Sequence, residues 1–195
     1  MNQSAIYLAR HGETAWNREG RWQGQNDIPL HDEGRQQARA LAERLRGCGV
    51  TRVYTSDLLR ARETADIVAA ALGLAPVTPD PDLRERCFGV FEGLTREECE
   101  ATLGETWTRF VADRRCMPPG AEAEAAVLIR MRRALDRVVE GLASLSGAAL
   151  IVSHGSALRS LLAAVTRQPI APLGNGALFR LDVHGAELGA CALLS

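Results

Sequence analysis

Two short stretches, AIYLAR at 5–10 and AALIV at 148–152, are apolar at nearly every position rather than at every second one. A strand of that kind must lie in a sheet covered on both faces. Segments of helical period surround them. DEGRQQARALAERLR, at 32–46, places Ala38, Leu41, Ala42 and Leu45 on one face and is closed by Gly47 and Gly49. RVYTS at 52–56 gives another strand, and a helix with Ser56 or Asp57 as its N-cap then runs to Gly73. Two helical pieces are predicted at about 96–103 and 105–114, a long helix at about Glu122–Leu145, and another at 157–166. ALFRLDV and GACALL close the chain as strands, while 12–30 and 76–95, punctuated by glycine and proline, read as loops. Strands alternating with helices predict an α/β fold with a mainly parallel sheet, and 195 residues are most simply one domain, 1–195.

In open α/β sheets, ligands gather beyond the carboxyl ends of the strands. Two of the strands here run into Arg10-His11-Gly12 and Ser153-His154-Gly155, and a third ends just before Asp57-Leu58-Leu59-Arg60. All 23 basic residues are arginine, so any anion site must be built from Arg, His, backbone N–H groups and neutral polar side chains. Without lysine, Schiff-base chemistry and a Walker-type phosphate loop are excluded. The net charge of −1 supplies no global field for nucleic acid or an anionic membrane. The five cysteines (Cys48, Cys87, Cys99, Cys116 and Cys191) show no metal-binding spacing and are expected as free thiols. With no apolar run of membrane-spanning length and no secretory signal pattern at the N-terminus, the cytoplasm is the expected compartment.

Two imidazoles and at least two guanidiniums make a compact cationic pocket of phosphate size. Arginine's planar fork matches phosphate oxygens bidentately and keeps its charge at any physiological pH. Glycine after each histidine is expected to give the anion clearance and N–H donors. A neutral imidazole is a competent nucleophile towards phosphorus, provided its other ring N–H is held by an acceptor that fixes the tautomer. Arginine and a second, protonated histidine would then stabilise the equatorial oxygens of the transition state. The leaving alkoxide needs an acid. Glu85, on the proline-bounded loop DLRERCFGVFEG, is the first candidate, with Glu92 and Asp82 behind it.

At these residues the chain resembles the histidine phosphatase superfamily, in the branch that contains the cofactor-dependent phosphoglycerate mutases. The matching motifs are RHGETxxN at 10–17, GQxDxPL at 24–30, TSDLLRARET at 55–64, LRERxFGxxEG at 83–93 and VSHG at 152–155. They run in family order over about three quarters of the chain. The resemblance implies a three-layer α/β/α sandwich, a phosphohistidine on His11, and a phosphoryl site of Arg10, Arg60 and His154 assisted by Asn17. It further implies Glu85 as acid and then base, substrate-phosphate contacts near Gln23, Gly24 and Gly155, and neither a metal nor another cofactor. Ala123, in GAEA, stands where many relatives carry serine.

Other residues have plainer readings. Trp16 and Trp22 are expected to stiffen their loop, Arg62 to be structural, His31 to be a solvated neighbour of a helix start, and His184 to sit in a turn. Cys87 is read as inert. The short stretch between Glu85 and His154 favours a phosphomonoesterase acting on a small phosphorylated metabolite: α-ribazole phosphate, a phosphoglycerate-like acid or a sugar phosphate. The alternatives are a 2,3-bisphosphoglycerate-dependent mutase and a non-catalytic phosphate-binding module. Arg114-Arg115, followed by Pro118-Pro119, resembles the pair with which the mutases grip a substrate carboxylate, although two helix-end arginines complementing a dipole would look the same. Monomer and homodimer are equally compatible with the sequence.

Overall fold

The computed structural model describes residues 4–143, 147–185 and 187–194; Leu145, expected at the end of the long helix, lies outside them. In chain order the elements are β1 (Ser4–Arg10), α1 (Ala15–Arg18), α2 (Asp32–Leu45), β2 (Val50–Thr55), α3 (Leu59–Leu72) and β3 (Thr78–Pro79). Then come α4 (Arg96–Ala112), α5 (Glu124–Ala143), β4 (Ala148–Ser153), α6 (Gly155–Thr166), β5 (Leu178–His184) and β6 (Glu187–Leu194). The strands form one sheet in the order β3-β2-β4-β1-β5-β6. β3, β2, β4 and β1 run parallel, and the chain closes with two antiparallel strands.

Alternation along the central strands builds two cores. Ile6 and Leu8 of β1 and Ile151 of β4 point to the side covered by Met131 and Leu135 of α5 and Leu158 of α6. Ala5, Tyr7 and Ala9, with Leu150 and Val152, face Leu41 of α2 and Val68 of α3. The result is the expected three-layer sandwich. A third cluster, Phe88, Phe91, Cys99, Trp107 and Phe110, packs outside the sheet with Trp22 against it.

Several local expectations change. The helix predicted from Ser56 or Asp57 has Leu58 as N-cap without a side-chain cap bond, because both oxygens of Asp57 are taken by the Arg84 guanidinium at 2.7 and 2.6 Å. The two pieces expected around Gly104 are one α4 element with Gly104 at φ 42° and ψ −110°, a backbone break where they were predicted to part. His31 is the N-cap of α2: Nδ1 accepts from the Gly34 N–H at 3.1 Å, and Nε2 lies 2.6 Å from Glu13 Oε1. His184 ends β5 rather than sitting in a turn. The two predicted loops contain the single-turn helix α1, the short strand β3 and two 3-10 turns.

Gly12 also has a different role from the one expected. A Cβ there would lie 2.3 Å from the Gly34 carbonyl oxygen, and one on Gly34 would lie 2.0 Å from that of Glu13. The glycines let the segment after β1 pass against the start of α2; the crowding comes from backbone, not from a ligand site. Backbone cannot rotate aside as a side chain can, so Gly12→Ala should cost about 3 kcal/mol, the upper end of overpacking penalties. A urea midpoint lowered at unchanged m would report it; an unchanged midpoint would show slack at this crossing.

Candidate active site

The site begins with register. β1 and β4 are paired in parallel so that Arg10 lies opposite Ser153, and the His11 N–H donates to the Ser153 carbonyl at 3.0 Å. The residues that follow are the two histidines, whose ring centroids are 5.1 Å apart. On the other side of β4, β2 ends with the Ser56 N–H on the Val152 carbonyl at 3.0 Å, which delivers α3 and Arg60 to the same rim.

His11 is buried with both nitrogens assigned. Nδ1–H donates to the Gly12 carbonyl at 2.7 Å, and Nε2 accepts from Arg60 Nε at 3.3 Å. This fixes the neutral tautomer with its lone pair on Nε2. Burial, then Arg60 and Arg10, push its pKa well below the ordinary 6.5. Arg60 is fully buried. Its two terminal nitrogens donate to the carbonyls of Asn26 and Gly24, each at 2.7 Å, and burial lowers its pKa to about 10, so it stays cationic. Thr64, one turn on, accepts the Gly12 N–H at 3.1 Å and donates to the Arg60 carbonyl at 2.7 Å, tying α3 to the end of β1.

Arg10 donates through Nη1 to the Leu173 carbonyl at 2.5 Å. A Cβ on Gly155 would meet Arg10 Nε at 3.4 Å, an ordinary van der Waals contact. Arg10 Nε and both ring nitrogens of His154 are buried without a hydrogen-bond partner among the described residues, a costly arrangement unless a ligand supplies partners. His154 is also held well below 6.5, by burial first and then by Arg60, His11 and Arg10. The second histidine expected as a cation is therefore neutral until an anion joins it.

Glu85 is buried at the start of α6. Oε2 accepts from the Ser156 N–H at 3.0 Å; Oε1 accepts from the Ala157 and Arg86 N–H groups at 3.0 and 2.8 Å. It does not pair with its neighbours, since Arg84 is on Asp57 and Arg86 Nε donates to the Glu122 carbonyl at 2.8 Å. The weaker acid candidates are otherwise engaged. The Arg133 fork, then Arg137, holds Asp82 at a pKa of about 2. Glu92 accepts from the Phe88 N–H and Asn26 Nδ2, both at 2.8 Å, and so links two loops.

Arg10, His11, Asn17, Gln23, Arg60 and Glu85 share a cavity of about 280 Å³, which Gly24 and Ser156 also line. Asn17 closes a capping box with Thr14, its Oδ1 accepting from the Thr14 N–H at 3.1 Å and from Asn175 Nδ2 at 3.3 Å. Gln23 accepts from the Thr14 hydroxyl at 3.0 Å. Gly24 has φ +50°, and a Cβ there would strike the Glu92 carboxylate. Trp22 packs edge-on to Phe88 at 4.8 Å between ring centroids, as the stiffening role expects. Cys87 is bonded to the Gly120 carbonyl, and burial raises its pKa, in line with an inert thiol. Arg62 is exposed beside Asp66. Arg115 forks onto Asp113, whereas Arg114 lies 4.4 Å over the Phe110 ring. Ala123 is exposed just before α5.

Two supporting residues, one bound to the acid loop and one to the end of β1, carry no signal in the sequence. Arg130 of α5 donates to the carbonyls of Asp82, Arg84 and Glu85 at 2.9, 2.5 and 3.0 Å and forks onto Glu122. Asn175 Nδ2 donates to the His11 carbonyl at 3.0 Å. Neither residue sits in a motif, and partners this distant in sequence leave no local signal.

The family model for the histidine phosphatase superfamily (branch 1) matches residues 6–188. The chain belongs to the histidine phosphatase superfamily. Phosphoglycerate mutase-like protein 4 of Arabidopsis thaliana is 40% identical over 164 residues, covering 83% of this chain and 70% of the relative. Among solved structures, a candidate alpha-ribazole-5'-P phosphatase from Escherichia coli aligns with a TM-score of 0.86 at 27% identity, covering 98% of this chain and 95% of that one. The mycobacterial glucosyl-3-phosphoglycerate phosphatase crystallised with VO3 aligns with a TM-score of 0.83 at 28% identity, covering 99% and 97%. Both share with this chain the mainly parallel α/β sheet with flanking helices.

The depressed histidine pKa values have a consequence for stability. The folded pKa of His154 lies below the unfolded value of 6.5, so below that pH the unfolded chain binds the extra proton. Its contribution is complete above about pH 6.5 and is lost as pH falls. Between pH 7 and pH 5 the urea midpoint of the wild type should therefore fall more steeply than that of His154→Gln. Parallel curves would show that the ring is not kept neutral by its surroundings.

Proposed function

We propose that the protein is a phosphomonoesterase that acts through a phosphohistidine on His11. The observation that carries this reading is the tautomer: Nδ1–H is pinned to the Gly12 carbonyl, and the lone pair on Nε2 lies beside Arg60 on the wall of the cavity. In the first step the Nε2 lone pair attacks phosphorus in line with the ester oxygen. The P–O bond to the alcohol breaks, and the departing oxygen takes a proton from Glu85. In the second step water attacks phosphorus, the P–Nε2 bond breaks, and Glu85 recovers a proton from the water. Inorganic phosphate leaves, and the enzyme returns to its starting state.

Arg10, Arg60 and His154 hold the phosphoryl oxygens through both transfers. Arg10 Nε and the His154 ring, unpartnered among the described residues, are open to phosphoryl oxygens. The phosphoryl dianion would also draw a proton onto His154, reversing the effect of the surrounding cations. Asn17, Gln23, Gly24 and Gly155 shape the phosphate end of the site. The substrate is a small phosphorylated metabolite.

Acid quench of the enzyme mixed with a radiolabelled phosphomonoester should leave little label, alkaline quench should preserve it, and His11→Ala should abolish it. An alkali-labile acyl phosphate would overturn the mechanism. Glu85→Gln should lower kcat on an alkyl phosphate by about 10²–10⁴-fold, the usual range for general acid catalysis, and should be far milder on an aryl phosphate with a good leaving group. Equal losses on the two would remove Glu85 as the acid. A mutase is the second reading, favoured by the names of the sequence relatives. Phosphate release from phosphoglycerate without isomerisation distinguishes it from the hydrolase.

A further inference from the structure

Beside the phosphate cavity lies a larger one of about 440 Å³, and Trp22, Phe88 and Ser156 line both. Its floor is a face of α6. Ser156, Arg159, Ser160 and Ala163 follow the i, i+3, i+4, i+7 spacing, so the floor extends about 10 Å along the helix axis from the residue whose N–H holds Glu85. The facing wall is aromatic, with Trp22 4.8 Å from Phe88 and 5.8 Å from Phe110 between ring centroids. The alcohol part of a phosphomonoester seated on His11 has this chamber beside it.

Three guanidiniums converge on this chamber. Arg86, Arg114 and Arg159 line it against a single carboxylate, Glu124, which accepts from the Ser160 hydroxyl at 3.2 Å. Neighbouring arginines are neutralised: Arg84 by Asp57, Arg115 by Asp113, and Arg133 and Arg137 by Asp82. The three in the chamber lack such a close partner, although Glu124, then Glu122 and Glu85, act on Arg86 at longer range. Arg86 donates to a backbone carbonyl, Arg159 donates to that of Ile170 at 3.3 Å, and Arg114 lies on a ring face. None of them makes an ion pair among the described residues. Guanidiniums facing an aromatic wall suit a ligand with an apolar body and an oxyanion.

We infer that the substrate is an elongated phosphomonoester whose alcohol part carries a ring-containing apolar body and ends in a second oxyanion, a carboxylate or a phosphate, held at Arg159. This rests on the phosphomonoesterase reading of the adjacent site. The ring packs against Trp22, Phe88 and Phe110, and the distal anion takes the donors that Arg159 does not spend on Ile170. Arg114 and Arg86 add to the attraction along the channel. Selectivity arises because a neutral alcohol part leaves these cations without a counter-charge.

The test uses two aryl phosphates with leaving phenols of nearly equal acidity: the phosphate ester of 3-(4-hydroxyphenyl)propanoate and 4-propylphenyl phosphate. One charged hydrogen bond is worth enough for the wild type to favour the carboxylate ester by at least about tenfold in kcat/KM, mainly through KM. Arg159→Met should bring that ratio towards one, Arg159→Lys should restore part of it, and Arg114→Met, which disturbs no backbone bond, should lower it independently. Equal kcat/KM values in the wild type would overturn the inference and leave the phosphatase standing. A ratio that survives both methionine substitutions would overturn the assigned anion site. No turnover of either ester and no phosphoenzyme would overturn the underlying reading, and this inference with it.

Discussion

The pairing of β1 with β4, which sets Arg10 opposite Ser153, is the constraint on which the site depends. Two strands from opposite ends of the chain run parallel and finish level, so the residues that follow each of them leave the sheet at the same height. His11 and His154 are neighbours for that reason. A slip of one residue would turn every side chain of β1 to the opposite face. Ile6 and Leu8 would then exchange cores with Ala5 and Tyr7, so the packing of both layers enforces the alignment that the chemistry uses.

Around that pair the protein concentrates positive charge where water is excluded, which is a destabilising arrangement. Arg60 is buried with its donors spent on carbonyl oxygens and on His11, and both imidazoles are kept neutral by burial and by the guanidiniums. Glu85, the one buried carboxylate among the described residues, is held by three backbone N–H groups, two of them at the N-terminal end of α6. An incoming oxyanion offers acceptors to Arg10 Nε and the His154 ring. Affinity for phosphate and the cost of the unliganded site thus have the same origin.

Much of this was legible in the sequence because it is local. The apolar runs of β1 and β4, the helical face of α2 and the break at Gly104 are set by patterns a few residues long. So was the gathering of Arg10, His11, Arg60 and His154, through motifs that follow strand ends, while Glu85 stood on a proline-bounded loop. The departures have a common physical form. Asp57 could have capped α3 but instead meets Arg84, 27 residues away. Gly12 looked like clearance for an anion but is required by the backbone of Gly34. Asn17 serves the loop as well as the cavity. Each of these groups had two competent partners, and the choice lay with whichever element the fold brought closer.

By itself the sequence determined the alternation of strands and helices, the absence of lysine from any anion site and the identity of the residues at the strand ends. These follow from the period, composition and order of the chain. Only the tertiary structure decided which nitrogen of His11 carries the proton, that Glu85 rests on α6 rather than on its flanking arginines, and that Arg130 fixes its loop. It also decided that Arg86, Arg114 and Arg159 share one aromatic chamber. A tautomer, a cap across 71 residues and the charge of a cavity depend on distances between elements, and those are set by register and packing rather than by any local stretch of chain.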